Sequence, residues 1–186
     1  MNLYSREDDI QIIILGCLKN HRGAQEELYK RFYPAMMALC LRYLRDRQDA
    51  LEVLNDALLK VFKQMGRFDP NKAALYTWMR AIVINTALDF LRKQKALRDR
   101  EMLPGEEEQP AVDNEAIARL SGDELLGIIR QLPLTTRTVF NLYVVDGYSH
   151  REIAALLSIS EGTSRWHLSD ARRQLKMILN LMEPKT

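Results

Sequence analysis

From Lys95 to Glu115 the helical spacing of apolar residues lapses, and Pro104-Gly105, the acidic run Glu106, Glu107 and Glu108, and Pro110 take its place. A stretch of this composition has too little apolar surface to fold on itself and reads as an extended connector. A chain interrupted in this way folds as two bodies. The boundaries that follow are residues 1–95, a linker at 96–116, and residues 117–186. With 186 residues in all, each body is small but able to bury a core.

Strand signals are lacking on both sides of the connector, so the expected class is all-α. Apolar spacing of three and four predicts helices over about Glu7 to Lys19, Gly23 to Tyr33, Ala35 to Arg45, Asp49 to Gln64 and Leu75 to Lys95. Tyr33-Pro34 is expected to break or kink the second and third of these, because proline cannot continue the hydrogen bonding of a preceding helix. Beyond the connector, helices are predicted over about Asp123 to Gln131, Leu134 to Val145, Ser149 to Leu157 and Ser160 to Leu181.

Composition removes several function classes. No apolar run approaches the roughly 18 residues of a bilayer span, since Ile12 to Leu15 is soon followed by Lys19 and Asn20. The acidic stretch Ser5-Arg6-Glu7-Asp8-Asp9 does not resemble a signal peptide, which makes the cytoplasm the expected compartment. Cys17 and Cys40 lie in apolar, helix-like surroundings without a companion cluster, so both are expected to be reduced core residues. His21, His150 and His167 are scattered, and no nucleophile-base pair, metal cluster or glycine-rich phosphate loop is present. The expectation is a protein without catalytic residues, metal or cofactor.

Charge is distributed unevenly. Between Asp99 and Glu115 seven acids face one base, so the overall +2 leaves +8 on the rest of the chain. Two basic bodies joined by an acidic tether suit contact with nucleic acid, because Lys and Arg gain by displacing counterions from phosphates. A solvated surface is the bland alternative.

Ser149-His150-Arg151-Glu152 fits a capping box and predicts a helix start there. The short helix, a turn near Ser158-Ile159-Ser160 and a second helix form a helix-turn-helix pattern. On the second helix Leu168, Ala171 and Leu175 share one side, leaving Trp166, Ser169, Asp170 and Arg173 on the opposite side, flanked by Arg165 and Arg172, the arrangement that enters a major groove. Ordinary helix pairs share this spacing. Trp166 either meets DNA or packs on a neighbouring loop, and Asp170 either accepts from cytosine or pairs with an arginine.

In the first body Trp78, Ile82, Asn85, Asp89 and Arg92 fall on one helix face behind the loop Phe68-Asp69-Pro70-Asn71-Lys72. Aromatic, amide and guanidinium groups beside a flexible loop can stack on unpaired bases and bond to their edges. The competing reading makes Trp78 a core residue and Asp89 with Arg92 a simple ion pair.

Taken together, these residues resemble the extracytoplasmic-function (ECF) sigma factors, two-domain members of the sigma-70 class. The resemblance rests on Asp49 to Leu58, on Tyr76-Thr77-Trp78 through Asn85 with Asp89 and Arg92, and on Leu132-Pro133, Gly147-Tyr148-Ser149 to Ala155 and Gly162-Thr163. It implies that residues 1–95 are sigma region 2 and residues 117–186 region 4. It implies partners in core RNA polymerase, through the β′ clamp and the β flap, in promoter DNA, and in some relatives an anti-sigma factor. Polymerase docking would fall to Asp49, Glu52, Val53, Asn55 and Asp56. Melting and reading of the minus-ten element would fall to Phe68, Asn71, Lys72, Tyr76, Trp78, Arg80 and Asn85. Reading of the minus-thirty-five element would fall to Arg165, Trp166, Ser169, Asp170 and Arg173. The linker would thread toward the RNA exit path. The rival is a dimeric helix-turn-helix regulator that binds a duplex palindrome without polymerase.

Overall fold

The computed structural model describes residues 7–100 and 127–182, which separate into two compact units, the chain dividing between Lys95 and Ala96. Among the described residues every regular element is helical. Most of the expected acidic linker lies outside them, but its first five positions do not: the helix predicted to end at Lys95 runs on to Arg100.

The first unit contains α1 (Glu7–Leu18), α2 (Arg22–Tyr43), α3 (Arg47–Gln64), a 3-10 turn (Met65–Arg67) and α4 (Leu75–Arg100). The break expected at Pro34 does not occur, and α2 passes through it. Leu28 and Phe32 before the proline and Met36, Met37, Leu39 and Cys40 after it are all buried. Each apolar side chain so buried contributes about 1.5–3 kcal/mol, which outweighs the ~3 kcal/mol typical of an internal proline. Pro34 itself faces solvent.

α1 reverses into α2 through Asn20, whose φ of 55° is the left-handed conformation that asparagine tolerates. The two helices then cross closely. A Cβ placed on Gly16 would stand 2.4 Å from the Cβ of Ala24, so only glycine fits this crossing. α3 begins earlier than predicted because Asp46 caps it, its carboxylate accepting from the amides of Gln48 and Asp49. Side-chain bonds fasten α4 to α3. Lys60 Nζ donates to Thr86 Oγ1 (3.0 Å), and Gln94 Nε2 donates to Asp49 Oδ2 (3.1 Å). Both cysteines are free and buried, as expected of reduced core thiols. Burial raises the Cys17 thiol and pushes Cys40 up to about 12.

In the second unit a helical turn at 127–129 precedes α5 (Leu134–Phe140), α6 (His150–Leu157) and α7 (Glu161–Met182). The helix predicted over Leu134 to Val145 is α only as far as Phe140; Asn141–Val145 widens into a π-helical turn. Ile128, Ile129, Leu132, Val139, Leu142, Ile153, Leu168 and Ala171 form the core. Arg137 is buried among them and donates from Nη1 to the Arg130 carbonyl (3.4 Å).

Candidate nucleic-acid interface

In the second unit the turn between α6 and α7 is built by local polar chemistry. Ser149 Oγ accepts from the Glu152 amide (3.3 Å), while Glu152 Oε2 accepts from the Ser149 amide (2.8 Å) and hydroxyl (2.7 Å), the predicted capping box. These bonds hold the Glu152 carboxyl below its usual range. α6 ends at Ser158 in the left-handed conformation (φ 54°). Ser160 then caps α7, its hydroxyl accepting from the Thr163 amide (2.9 Å).

Two histidines connect the helices of this unit. His150 stacks on Tyr143 with ring centroids 4.4 Å apart, and its Nδ1 lies 2.9 Å from Ser164 Oγ on α7. His167 Nδ1 lies 2.9 Å from Thr136 Oγ1 on α5. Desolvation lowers both imidazoles, reinforced by Arg165 at His150 and opposed by Asp170 at His167. They tie helices together, a role the sequence does not reveal because their partners lie 14 and 31 positions away.

The outer face of α7 presents Arg165, Trp166, Ser169 and Arg173, as predicted, with Arg172 and Lys176 alongside. Asp170 does not join them. It is 8% exposed, and its carboxylate accepts from Arg173 Nη2 (2.5 Å) and Gln174 Nε2 (2.7 Å). Asp170 lies one turn after His167 and beside buried Ala171, so helix geometry turns it toward the core edge rather than the groove. Of its two predicted roles, the arginine pair is the one present. Arg165 is likewise paired, with Glu161 at 2.8 Å, but both partners are exposed and can exchange for a phosphate.

In the first unit α4 buries Leu75, Met79, Val83, Ile84, Ala87 and Leu88. The predicted face of Trp78, Ile82, Asn85, Asp89 and Arg92 is left half-buried or exposed, Asn85 and Arg92 being the exposed members. Asp89 and Arg92 form the ion pair of the competing reading, at 2.6 Å. Trp78 is not a core residue. Its ring lies 5.4 Å from that of Phe68 at a tilt of 53°, bringing the loop and the helix together.

The loop is a hydrogen-bonded turn rather than a flexible strap. Asp69 Oδ1 accepts from the amide (3.0 Å) and side-chain nitrogen (3.2 Å) of Asn71, and the Asp69 carbonyl accepts from the Lys72 amide (3.1 Å). Lys72 Nζ lies 3.6 Å from Asp69. Asn71 and Lys72 are exposed, whereas Tyr76 and Arg80 are half-buried and engaged within the unit.

On α3, Glu52, Asn55 and Asp56 are exposed, Asp49 is half-buried against Gln94, and Val53 is 1% exposed. Val53 is therefore a core residue and offers nothing to a docking partner. Two apolar residues left out of the expected docking set, Leu51 and Leu59, are both exposed on this helix. The signal for them was present: Ala50, Val53, Leu54, Ala57, Leu58 and Val61 fill the inward stripe, leaving Leu51 and Leu59 outside it.

No group of three His, Cys, Asp or Glu side chains that could hold a metal occurs among the described residues. No helix among them is long and apolar enough to cross a membrane.

Comparison with known proteins identifies this pair of units. Residues 28–97 match the family profile Sigma-70 region 2, and residues 122–175 match Sigma-70, region 4. The ECF RNA polymerase sigma factor SigM of Mycobacterium tuberculosis is 29% identical over 87% of this chain and 80% of its own length. The RNA polymerase sigma-H factor of Pseudomonas aeruginosa is 26% identical over 95% of this chain and 96% of its own. In fold, the chain resembles the sigma factor RpoE in a co-crystal structure with the anti-sigma factor NepR from Bartonella quintana, at a TM-score of 0.55 and 20% identity, covering 85% of this chain and 98% of that one. With regions 2 and 4 matched in order over about two thirds of its length, the chain belongs to the sigma-70 family as an ECF-type sigma factor, a promoter-recognition subunit of RNA polymerase.

Proposed function

We propose that the two units, residues 1–95 and 117–186 about a linker at 96–116, divide the work of initiation as follows. α3 docks on the β′ clamp of core polymerase through Glu52, Asn55 and Asp56 with Leu51 and Leu59, Asp49 bracing that face from behind. The Phe68-Trp78 pair, with Asn71, Lys72, Tyr76, Arg80 and Asn85 around it, captures an unpaired base of the minus-ten element. The second unit meets the β flap and places Arg165, Trp166, Ser169 and Arg173 against the minus-thirty-five element.

The observation that carries this reading is the Phe68-Trp78 ring pair at the head of a partly exposed, polar helix face. Unpairing a base costs a few kcal/mol, and stacking returns roughly 1 to 3 kcal/mol per base. The balance favours opening only when the aromatic surface is already in place, because ordering it during melting would consume the gain. Capture of this kind needs no covalent step. The protein acts as a binding subunit without metal or cofactor, in the cytoplasm where polymerase resides. An anti-sigma factor that covers α3 would hold it inactive, in keeping with the complex formed by its Bartonella relative.

Band-shift measurements on promoter DNA, with and without core polymerase, test the proposal. Strong binding only with core is expected. Tight binding to a palindromic duplex by the chain alone would favour a dimeric regulator and overturn it.

A further inference from the structure

We propose that Trp166 is a specificity-determining residue that reads a thymine C5-methyl group in the major groove, and that His167 is a positioning residue that holds its indole. The inference rests on the proposed seating of α7 against the minus-thirty-five element and names the chemistry read there.

Trp166 is 60% exposed, the most open of the large apolar side chains described on α7. The charged residues around it are partly committed elsewhere: Arg165 to Glu161 and Arg173 to the buried carboxylate of Asp170. Those acids also place negative charge on the same helix, which weakens its pull on phosphate and guanine acceptors. Ser169 is short, and its hydroxyl can either donate or accept, so it discriminates weakly. An indole carries one N–H donor at its edge, but most of what it offers its neighbours is an apolar plane. On the major-groove edge of the four base pairs, the thymine methyl is the one apolar group available to match it.

The indole is also braced. His167 meets it edge-on, with centroids 4.9 Å apart and planes at 73°. His167 is in turn anchored to Thr136, a buried residue of α5, through the 2.9 Å contact between Nδ1 and Oγ1. Side chains adjacent in a helix diverge by about 100°, so such an edge contact restricts both rings at once. A chain of contacts therefore runs from the core through Thr136 and His167 to the exposed ring. An indole ordered in this way loses less side-chain freedom on meeting DNA than a mobile one.

The test uses holoenzyme reconstituted from core polymerase and the full chain. Promoters are first selected from a library randomised across the minus-thirty-five element. Each thymine of the selected element is then replaced singly by deoxyuridine, which differs only in lacking the methyl. For the wild type, one substitution is expected to weaken binding about fourfold, the worth of one buried methyl-sized group. Trp166→Ala should bind the thymine promoter more weakly and show no further loss with deoxyuridine. His167→Gln retains a group able to bond Thr136 but removes the ring edge, and should bring the thymine-to-deoxyuridine ratio toward one. His167→Phe keeps the ring edge but gives up the bond to Thr136, so it should restore that ratio only in part, and affinity for core reports folding of every variant.

A wild type indifferent to every deoxyuridine, a selected element without thymine, or a Trp166→Ala variant that keeps the fourfold ratio would each overturn the inference. Loss of transcription in Trp166→Ala alongside such indifference would assign the indole to a protein partner instead. If scrambling the whole element leaves wild-type binding unchanged, the seating of α7 on this DNA is itself wrong.

Discussion

Exchanging a methyl group across the α1-α2 crossing tests how the first unit is held together. In Gly16→Ala the new Cβ would lie 2.4 Å from that of Ala24, whereas ordinary carbon contacts begin near 3.4 Å, so the helices must part by about 1 Å. Overpacking of this kind costs about 1–3 kcal/mol, while alanine in place of a helical glycine returns about 1 kcal/mol. A net loss of about 0–2 kcal/mol is expected for the single variant. Ala24→Gly alone should cost up to about 1 kcal/mol. The double variant moves the methyl from one helix to the other and should regain most of the loss, for a coupling of about 2 kcal/mol. With a urea slope near 2 kcal/mol per molar, that is a midpoint displacement of about 1 M.

The chain has two tryptophans, so in a Trp166→Phe background the fluorescence of Trp78 reports unfolding of this unit alone. Urea midpoints for the four members of the cycle supply the coupling. Effects that add to within about 0.5 kcal/mol would show that the crossing is not sterically limiting and refute the reasoning. The crossing also bears on function. Leu18 of α1 lies 3.8 Å from where a Cβ on Gly66 would stand, in the turn that leads into Phe68. Gly16→Ala should therefore slow promoter melting as well.

Trp78→Ala should lower open-complex formation by roughly 5- to 150-fold, equivalent to about 1–3 kcal/mol of stacking, with core affinity unchanged; permanganate footprinting of holoenzyme on promoter DNA measures it. Glu52→Lys and Asp56→Lys should weaken core binding in a fluorescence titration and shift stability by less than about 0.5 kcal/mol. Val53→Ala should do the reverse, costing about 1.5–3 kcal/mol in urea melts and sparing the core affinity of the folded protein. His150 and His167 sit below their ordinary value of 6.5, so the folded second unit binds fewer protons than the unfolded chain. Its stability should be complete above pH 6.5 and decline as pH falls below it; thermal melts in which His150→Gln and His167→Gln fail to flatten that decline would contradict the assignment. Cys17 and Cys40 should resist a thiol reagent until urea unfolds the first unit, because both are buried and raised above the usual thiol range.

Local chemistry was readable along the chain. Apolar spacing placed the helices, Ser149 and Glu152 marked the start of α6 by their own side chains, and the acidic, proline-containing stretch from Lys95 to Glu115 separated two bodies. The outward face of α7 and the mixed face of α4 followed from the same periodicity. What spacing leaves open is any residue near the edge of a face, where a rotation of one position changes its surroundings. Asp170 is of that kind: packing turned it to the core edge, where it braces Arg173 and Gln174 of its own helix, whereas Val53 lay within the inward stripe of α3 that the spacing already marked. Pro34 kept its helix because buried side chains on both sides outweigh one lost hydrogen bond. The links from Lys60 to Thr86, Gln94 to Asp49 and Thr136 to His167 join residues far apart in the chain. Such pairs exist only after folding brings their helices together, and no local pattern encodes them.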